Sequence, residues 1–314
     1  MYSLIIPVYR NEASLPGLIE AVGGIARAVD RPFEAVFVVD GSPDNSYALL
    51  RDALPRAPFA SQLIALSRNF GSFAAIRQGL QAASGEYFAV MAADLQEPPE
   101  LAIEFFMRLS KDEADVVIGT RDAREDPFLS KLASRIFWGA YRHLVNPDIP
   151  PGGVDVFACN RKFLDHLLVL DERNSSLVGL LFWLGFRRSV VSYRRRAREH
   201  GKSAWTWRRK ITYMLDSIFA FSDLPIRILL LIGVLGLGVA LLFGFTVLTL
   251  RGFGRVAVPG YAATIITIMF FGGLNALGLG IIGAYLWRAY ANTQQRPLSV
   301  VMRRESFNAL EHQA

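Results

Sequence analysis

Two long apolar stretches constrain this chain more than any other feature of its sequence. Ile228–Leu250 and Tyr261–Trp287 contain no charged side chain. An α-helix rises about 1.5 Å per residue, so about 20 residues cross the hydrocarbon core of a bilayer. The alternative, a pair of buried core helices in a soluble domain, would be unusually long without a charge. The sequence therefore predicts two transmembrane helices.

The residues before Pro225 have the mixed apolar and charged character of a globular domain. The first segment, MYSLIIPVYRNE, lacks a basic leader region, and its apolar run ends at Pro7, so we expect no cleaved signal peptide. Cys159 is the only cysteine, which excludes an intrachain disulfide framework and a thiolate zinc site. Both observations fit a domain in the reducing cytoplasm.

Basic residues cluster beside the apolar stretches and give the chain a net charge of +6. Nucleic-acid binding is one interpretation of basic clusters, but this position favours an anionic membrane surface, and we expect no nucleic-acid partner. The positive-inside rule then places the N-terminal domain and the C-terminal tail in the cytoplasm, although Arg251 and Arg255 in the connecting loop oppose it mildly. The clusters are Arg187–Arg188, Arg194–Arg198, Arg208–Lys210 and Arg303–Arg304.

Strand and helix patterns alternate through the first 120 or so residues. Apolar strands separated by helices predict an α/β fold with a parallel sheet covered on both faces. The predicted strands are Ser3–Tyr9, Phe33–Asp40, Gln62–Leu66, Tyr87–Ala92 and Asp115–Gly119, and the predicted helices are Asn11–Val29, Phe70–Ala83 and Pro98–Leu109. Ligands bind such sheets beyond the carboxyl ends of the strands. The expected site segments are Pro7–Glu12, Asp40–Asp44, Ser67–Asn69 and Asp94–Gln96.

Residues 203–225 predict an amphipathic helix directly before the first span. Trp207, Ile211 and Met214 fall at helical spacing, while Arg208–Lys210 lie off that stripe. Such a helix lies in the membrane interface, although an ordinary domain helix is the alternative.

Small residues recur every four positions in the second span, at Gly272, Ala276, Gly280 and Ala284. This spacing lets helices approach closely, either within a hairpin or in a homo-oligomer formed through the transmembrane helices. Asn275, the strongly polar side chain of this span, is expected to bond across helices rather than to act in catalysis.

Five segments in a fixed order resemble the family 2 glycosyltransferases, and within them the polyprenyl-phosphate group that contains dolichol-phosphate mannose synthases and bacterial undecaprenyl-phosphate glucosyltransferases. The similarity runs from residue 3 to about 225, and the two spans extend it. ADLQEPPE is the most specific segment. The five are PVYRNE (Pro7–Glu12), VDGSPDNS (Val39–Ser46), SRNFG (Ser67–Gly71), ADLQEPPE (Ala93–Glu100) and RRAREHGKS (Arg195–Ser203).

This resemblance implies a Rossmann-like GT-A domain that binds a nucleotide sugar, a divalent cation, an inverting mechanism and a lipid phosphate acceptor. The expected plan is a cytoplasmic GT-A domain at residues 1–202, an interfacial helix at 203–225, two transmembrane helices within 226–288 and a cytoplasmic tail at 289–314. We expect the protein in a bacterial inner membrane, with the lipid bilayer as one of its partners.

The resemblance also assigns a metal site. Asp94 and Gln96 would bind Mg²⁺ or Mn²⁺ through hard oxygen ligands, and Asp94 is accordingly a candidate catalytic residue. The family pattern usually has a further aspartate where this chain has Ala92. That departure leaves open weaker metal binding, a different donor contact or a loss of activity.

The nucleotide sugar would be held by residues at the first three strand ends. Asp40 matches a base-contacting acid of the family, while Val39 occupies the place of a second acid. Arg68 would either meet the nucleotide or pair with a carboxylate. The full set of expected donor-binding residues is Pro7, Tyr9, Glu12, Asp40, Arg68 and Asn69.

Asp155 matches a family residue that is assigned as a candidate catalytic base. A lipid monophosphate is already an anion near neutral pH and needs little deprotonation. Asp155 would then orient the acceptor or hold a basic side chain instead.

The acceptor phosphate needs cationic ligands, which the segment before the interfacial helix supplies. The lysine of this segment is shifted from its usual family position, so its partner is undefined. The expected phosphate ligands are Arg195, Arg198, Lys202 and Ser203.

The favoured reaction is the transfer of one hexose from UDP-glucose to undecaprenyl phosphate, and GDP-mannose or another UDP-sugar is the alternative donor. A processive polysaccharide synthase would need more spans and a Q-x-x-R-W motif, which the sequence lacks. A catalytically impaired membrane scaffold or transporter is supported by Ala92 alone.

Overall fold

The computed structural model of the chain describes residues 1–121, 147–150, 153–172, 175–196, 218–253 and 260–309, together with positions 139, 142, 215 and 216. These residues contain one mixed sheet. Its strands are β1 (Tyr2–Val8), β2 (Phe33–Val39), β3 (Ala60–Leu66), β4 (Tyr87–Val90), β5 (Val116–Arg121), β6 (Val156–Asn160), β7 (Arg188–Tyr193) and β8 (Val301–Phe307).

The helices of the described residues are α1 (Leu15–Ala28), α2 (Ser46–Ala53), α3 (Ser72–Ala82), α4 (Pro99–Ser110), α5 (Arg161–Val169), α6 (Leu177–Trp183), α7 (Leu224–Gly252) and α8 (Tyr261–Thr293). Short 3₁₀ turns at Glu12–Ser14 and Leu54–Arg56 precede α1 and follow α2.

The strands lie in the order β7-β5-β6-β4-β1-β2-β3-β8. The four neighbours β4, β1, β2 and β3 run parallel, and β5 is parallel to β7. In contrast, β6 is antiparallel to both of its neighbours, and β8 is antiparallel to β3. The predicted parallel sheet is therefore right for its centre, and the whole sheet is mixed.

Helices cover both faces of the sheet, as the continuous apolar strands predict. On one face α1 and α4 contribute Leu18 and Phe105 to a buried cluster. On the other face α3, α5 and α6 contribute Leu80, Phe163 and Leu180. This packing covers both faces of the sheet and leaves its strand ends to form a site.

The helices α7 and α8 are long and apolar enough to cross a membrane, over Leu224–Thr246 and Thr267–Thr293. They contact each other where the Phe271 ring lies beside Gly236 and the Leu229 side chain lies beside Gly278. The added Cβ atoms of Gly272 and Gly280 would meet no atom within 4 Å. The small-residue repeat therefore does not form the hairpin contact within this chain.

The residues after α8 return to the sheet rather than forming a separate tail. In β8, Ser306 pairs with Gln62 and Arg304 with Ile64 of β3, and the Tyr47 hydroxyl donates to Glu305. Residues 294–300 connect α8 to β8, and seven extended residues span at most about 25 Å. The sheet edge is thus tied closely to the end of α8.

Only residues 215, 216 and 218–225 of the predicted interfacial helix lie within the described part of the chain. Residues 218–221 are helical. Asp216 pairs with Arg288 of α8 at 2.6 Å, and the Phe219 ring packs edge-on against Tyr285. This segment therefore contacts the C-terminal part of α8.

Candidate active site

The loops that follow β1, β2 and β3 form one side of the site. We call them the nucleotide-side loops, defined as residues 9–14, 40–46 and 67–71. Asp40 is only 2% exposed, and its carboxylate accepts hydrogen bonds from the backbone N–H groups of Phe70 at 2.7 Å and Gly71 at 2.8 Å. Gly41 has φ +55°, and a Cβ there would lie 2.2 Å from the Arg68 carbonyl carbon. A glycine is therefore required at position 41, because a side chain there would collide with the backbone of the loop that follows β3.

Glu12 links the first two nucleotide-side loops. Its carboxylate accepts hydrogen bonds from the backbone N–H and the side-chain amide of Asn45, at 3.1 and 3.2 Å. The Glu12 N–H in turn donates to Asp44 at 3.2 Å. Burial would raise the pKa of Asp44, but hydrogen bonds from Ser42 and Ser46 lower it below its usual value. Glu12 and Asp44 therefore hold the loops after β1 and β2 together.

The other expected donor-binding residues lie in the same loops or at their edge. Pro7 lies within β1, and Tyr9 directly follows that strand. The exposed Arg68 guanidinium stacks 4.0 Å from the centre of the Phe70 ring, and the Asn69 amide donates to the Asp40 carbonyl at 3.3 Å. Among the described residues Arg68 has no carboxylate within 4 Å, so the ion-pair alternative finds no support there.

The other side is formed by the turn after β4, the last residues of β5 and β7, the residue directly before β6, and Arg195 after β7. We call this cluster the acidic pocket (Asp94, Gln96, Glu97, Arg121, Asp155, Tyr193 and Arg195). Asp94 accepts a hydrogen bond from the Gln96 N–H at 3.4 Å across a turn in which Leu95 has φ +54°. The Gln96 side-chain oxygen accepts from the Arg195 guanidinium. The backbone carbonyl of Gln96 also accepts from the Arg196 N–H at 2.9 Å.

The two sides meet through Ser14. Its hydroxyl oxygen lies 2.9 Å from the carbonyl oxygens of both Asn11 and Ala93 and shares its single proton between them. The loop that follows β1 is thereby fixed to the loop that carries Asp94.

Asp155 is engaged by a basic side chain, as one of the sequence-based alternatives proposes. Nη2 of Arg121 lies 2.6 Å from the Asp155 carboxylate, its Nε donates to the second oxygen, and the Tyr193 hydroxyl donates at 3.0 Å. Burial would lower the pKa of Arg121, but Asp155 raises it. Burial raises the pKa of Tyr193 well above its usual value, and the charges of Asp155 and Glu97 add to that shift.

Glu97 is the least expected member of the acidic pocket. It is 3% exposed, and its carboxylate accepts a hydrogen bond from the Ala92 N–H at 3.3 Å. Burial, and then the negative charge of Asp94, raise its pKa to about 7, while Arg195 opposes the shift. Sequence reasoning missed Glu97, and it also missed Arg121. The available signals were an acid directly before Pro-Pro and an arginine at a strand end.

The oxygen ligands of the acidic pocket suit a divalent cation such as Mg²⁺ or Mn²⁺. Asp94 and Gln96 supply a carboxylate and an amide oxygen, and a cation beside them would favour the ionised form of the buried Glu97, whose pKa is raised to about 7. Within the described ranges no three Asp, Glu, His or Cys side chains form a ready-made metal cage. Asp94 and Gln96 would therefore leave most coordination positions of such a cation to a bound ligand or to water.

Arg195 brings positive charge to this pocket, and its buried Nε has no hydrogen-bond partner among the described residues. A buried guanidinium N–H of this kind fits an anionic oxygen. The other three expected phosphate ligands, Arg198, Lys202 and Ser203, lie outside the described residues.

Comparisons with known proteins identify a matching family and several similar proteins. A family model described as Glycosyl transferase family 2 matches residues 3–168. The chain is 33% identical, over 95% of its own length and 88% of the relative, to an undecaprenyl-phosphate 4-deoxy-4-formamido-L-arabinose transferase of Pseudomonas paraeruginosa (strain DSM 24068 / PA7). It is 29% identical, over 96% of its length and 98% of the relative, to a prophage bactoprenol glucosyl transferase homolog of Escherichia coli (strain K12).

A solved structure of glucosyl-3-phosphoglycerate synthase from Mycobacterium tuberculosis, in complex with phosphoglyceric acid, is also similar. The two chains are 17% identical with a TM-score of 0.47, and the match covers 71% of this chain and 81% of the other.

Proposed function

This chain belongs to glycosyl transferase family 2 and is a GT-A glycosyltransferase, and on that premise we propose that it transfers one hexose from a nucleotide sugar to a polyprenyl phosphate. The observation that carries the proposal is a cluster of carboxylates and arginines at the strand ends of a domain that is tied to two apolar helices. Two relatives that match nearly the whole chain are named for polyprenyl acceptors, bactoprenol in one and undecaprenyl phosphate in the other.

The two apolar helices fit a lipid acceptor. A polyprenyl chain leaves the bilayer at a free-energy cost of about 0.8 kcal/mol per buried methylene, so the enzyme must work at the membrane. The short connection between α8 and β8 supports this arrangement, because it keeps the sheet within about 25 Å of the end of α8.

The pairing of β8 with β3 supports a topology with the domain and the tail on one side of the membrane. The domain precedes both apolar helices, and β8 follows them. Two strands of one sheet lie on the same side, so the intervening helices cross an even number of times. Together with the basic clusters beside the spans, this supports a multi-pass inner-membrane protein with a cytoplasmic catalytic domain.

The proposed reaction is a single inverting displacement. A phosphate oxygen of the lipid attacks the anomeric carbon of the sugar, and the bond from that carbon to the nucleotide pyrophosphate breaks. The electron pair stays on the leaving pyrophosphate. Because the attacking phosphate is already an anion, no residue of the chain needs to remove a proton from it.

The residues of the acidic pocket would divide the remaining work. A divalent cation held by Asp94 and Gln96 would neutralise charge on the leaving pyrophosphate. Arg195 would bind a phosphate through its unpaired Nε. Asp155 would position Arg121, which presents a second guanidinium to the same pocket.

The nucleotide-side loops would hold the base and ribose. The hydrogen bonds described for Asp40 and Glu12 come from backbone N–H groups of the same loops. We therefore propose that these two acids mainly fix the shape of the surface that would bind the base and ribose. UDP-glucose is the favoured donor, since one relative is named as a glucosyl transferase. GDP-mannose and other UDP-sugars are the alternatives.

The donor can be identified by incubating the purified full-length protein with each of several radiolabelled nucleotide sugars, Mg²⁺ and undecaprenyl phosphate. We expect label in the organic phase with one donor and none when the lipid is omitted. The accepted donor should also raise the unfolding temperature, because a ligand that binds the folded state stabilises it. Absence of lipid-linked label with every donor would contradict the proposal.

A further inference from the structure

A cavity of about 640 Å³ opens where the segment before α7 meets α8, and we call it the junction cavity. The Tyr285 hydroxyl donates to the Ser222 carbonyl at 3.3 Å and joins the two elements at this point. The described lining combines apolar and polar side chains, which are Leu224, Ile226, Ser222, Asp223, Arg227 and Tyr285. None of these residues belongs to the nucleotide-side loops or to the acidic pocket.

In the topology proposed above, the junction cavity lies at the level of the lipid headgroups. Leu224 is the first residue of the first apolar span. On α8, Trp287 follows Tyr285 by two residues, which is about 3 Å along the helix axis. Trp287 and Tyr290 are 66% and 52% exposed. Exposed Trp and Tyr near the end of an apolar helix are typical of the membrane interface.

The charged side chains at the junction cavity balance each other. Nε of Arg227 lies 2.9 Å from the carboxylate of Asp223, one helical turn earlier. The Arg227 and Asp223 side chains are 75% and 61% exposed, so this ion pair adds little stability by itself. Towards the described residues the Arg227 side chain donates through Nε alone, which leaves both Nη groups for an anionic oxygen. The neighbouring charges, Asp216 and Arg288, also form a pair, at 2.6 Å.

We propose that the junction cavity binds the headgroup of a zwitterionic phospholipid with a primary ammonium group, as in phosphatidylethanolamine. Arg227 binds the lipid phosphate through its Nη groups, and Asp223 accepts hydrogen bonds from the ammonium group. Leu224 and Ile226 contact the first methylenes of the acyl chains. This lipid is a structural ligand of the membrane anchor and not a substrate, so the proposed site is additional to the transfer reaction.

The balance of charge decides between classes of lipid. An anionic headgroup would pair with Arg227 and leave the negative charge of Asp223 uncompensated. A choline headgroup has no N–H to donate to Asp223. The polyprenyl phosphate acceptor carries a phosphate without an ammonium group, so Asp223 disfavours it at this position.

Native mass spectrometry of the full-length protein in detergent tests the site. The protein is equilibrated with equimolar phosphatidylethanolamine, phosphatidylcholine and phosphatidylglycerol, and the bound lipids are counted. Phosphatidylethanolamine should bind about 3-fold more tightly than phosphatidylcholine, which lacks the donor. It should bind about 5-fold more tightly than phosphatidylglycerol, as expected for one charge near a membrane surface.

Two variants separate the roles of the charged side chains. Asp223→Asn leaves Arg227 unbalanced, so phosphatidylglycerol should then bind at least as tightly as phosphatidylethanolamine. Arg227→Gln should weaken the binding of all three lipids about 5-fold. Asp165→Asn is the matched control, because Asp165 belongs to an exposed pair of the same spacing with Arg161 on α5. It should keep the wild-type preference.

Equal affinity of the wild type for the three phospholipids, or an unchanged preference in Asp223→Asn, would overturn the proposal. If Asp223→Asn does not fold, Arg227→Gln decides, and wild-type lipid binding by that variant would overturn it. Displacement of bound phosphatidylethanolamine by one equivalent of undecaprenyl phosphate would also overturn it, because the cavity would then belong to the acceptor. Sugar transfer by a protein without the lipid preference would remove only this inference.

Discussion

The guanidinium of Arg121 lies against the carboxylate of Asp155, with Nη2 2.6 Å from Oδ1 and Nε donating to the other oxygen. Both side chains are largely buried. A bidentate pair of this kind fixes the arginine in one orientation. We therefore propose a positioning role for Asp155, in which it would hold Arg121 towards a phosphate, and the catalytic base that the family resemblance implies is the alternative.

A double-mutant cycle tests this assignment. Asp155→Asn and Arg121→Gln should each lower kcat/KM by about 10-fold or more, and the double variant should be little worse than either, because the two residues act as a unit. Glu104→Gln, which breaks the more exposed ion pair with Arg108, should leave kcat/KM unchanged. Multiplicative losses in the double variant would show that Asp155 acts independently of Arg121.

Arg195 should act on acceptor binding. Arg195→Lys keeps the charge but removes the planar fork that bonds Gln96 and presents the buried Nε. We expect KM for the polyprenyl phosphate to rise about 10-fold, with a smaller change in kcat. The neighbouring Arg196→Lys is the control, since that side chain is 58% exposed and its nearest carboxylate is 3.8 Å away. An equal effect of both substitutions would contradict the assignment.

The β8 strand should stabilise the catalytic domain. A chain that ends at Arg296 loses the strand, which uncovers the hydrogen-bonding edge of β3 and invites aggregation. We expect its unfolding temperature to fall by about 5 °C or more. A chain that ends at Asn308 keeps all of β8 and should unfold at the wild-type temperature. Equal stability of the two truncated chains would show that β8 adds nothing to the sheet.

Gly179 in α6 marks the contact between the domain and the segment that precedes α7. A Cβ at this position would lie 2.3 Å from the Phe221 ring. Gly179→Ala should therefore push Phe221 away and destabilise the protein by about 1–3 kcal/mol. Gly24→Ala in α1 meets no atom within 4 Å and should be neutral or slightly stabilising. Thermal unfolding of both variants measures the difference, and an unaffected Gly179→Ala would contradict the contact.

Asp115 provides a prediction about pH. Its carboxylate accepts from Arg187 at 3.0 Å and from the Asn160 amide at 2.9 Å, and the Arg187 hydrogen bond lowers the pKa of Asp115 despite burial. A lowered folded pKa means that the stabilisation is complete above the unfolded value of about 3.9 and is lost as pH falls through the folded pKa.

Asp115→Asn should accordingly be less stable than the wild type at pH 7, with the difference shrinking below about pH 4. Asp112→Asn is the control, because Asp112 bonds the same arginine with a side chain that is 80% exposed, and it should change stability little at any pH. A constant difference between Asp115→Asn and the wild type from pH 7 to pH 3 would exclude this origin.

The centre of the fold could be predicted from the sequence because the buried parallel strands are continuous apolar runs bounded by polar turns. The directions of β6 and β8 could not, since antiparallel and parallel strands of this length share the same composition. Helix α2 was not predicted, because a segment of eight residues is too short to show a clear helical periodicity. Strand β8 was not predicted, because the sequence VMRRESF has charged residues at its centre and no apolar face. In the structure the strand is accordingly largely exposed.

Part of the composition of the candidate site was predictable from the sequence, whereas Glu97, Arg121 and the contacts between the residues were not. The strand-end rule located Asp40, Asp94 and Gln96 correctly on the sheet, because it depends only on where apolar runs stop. It could not show that Asp155 bonds Arg121 or that Glu97 returns to Ala92, because these contacts join segments that are set by tertiary packing.

The most direct measurement of the central claim is the mass of the lipid product. The full-length protein in lipid nanodiscs is supplied with undecaprenyl phosphate, UDP-glucose and Mg²⁺, and the extracted lipid is analysed by mass spectrometry. The account predicts a species heavier than the acceptor by one hexose, which Asp94→Asn should not form. An unchanged acceptor with every nucleotide sugar, or a ladder of several hexoses, would contradict it.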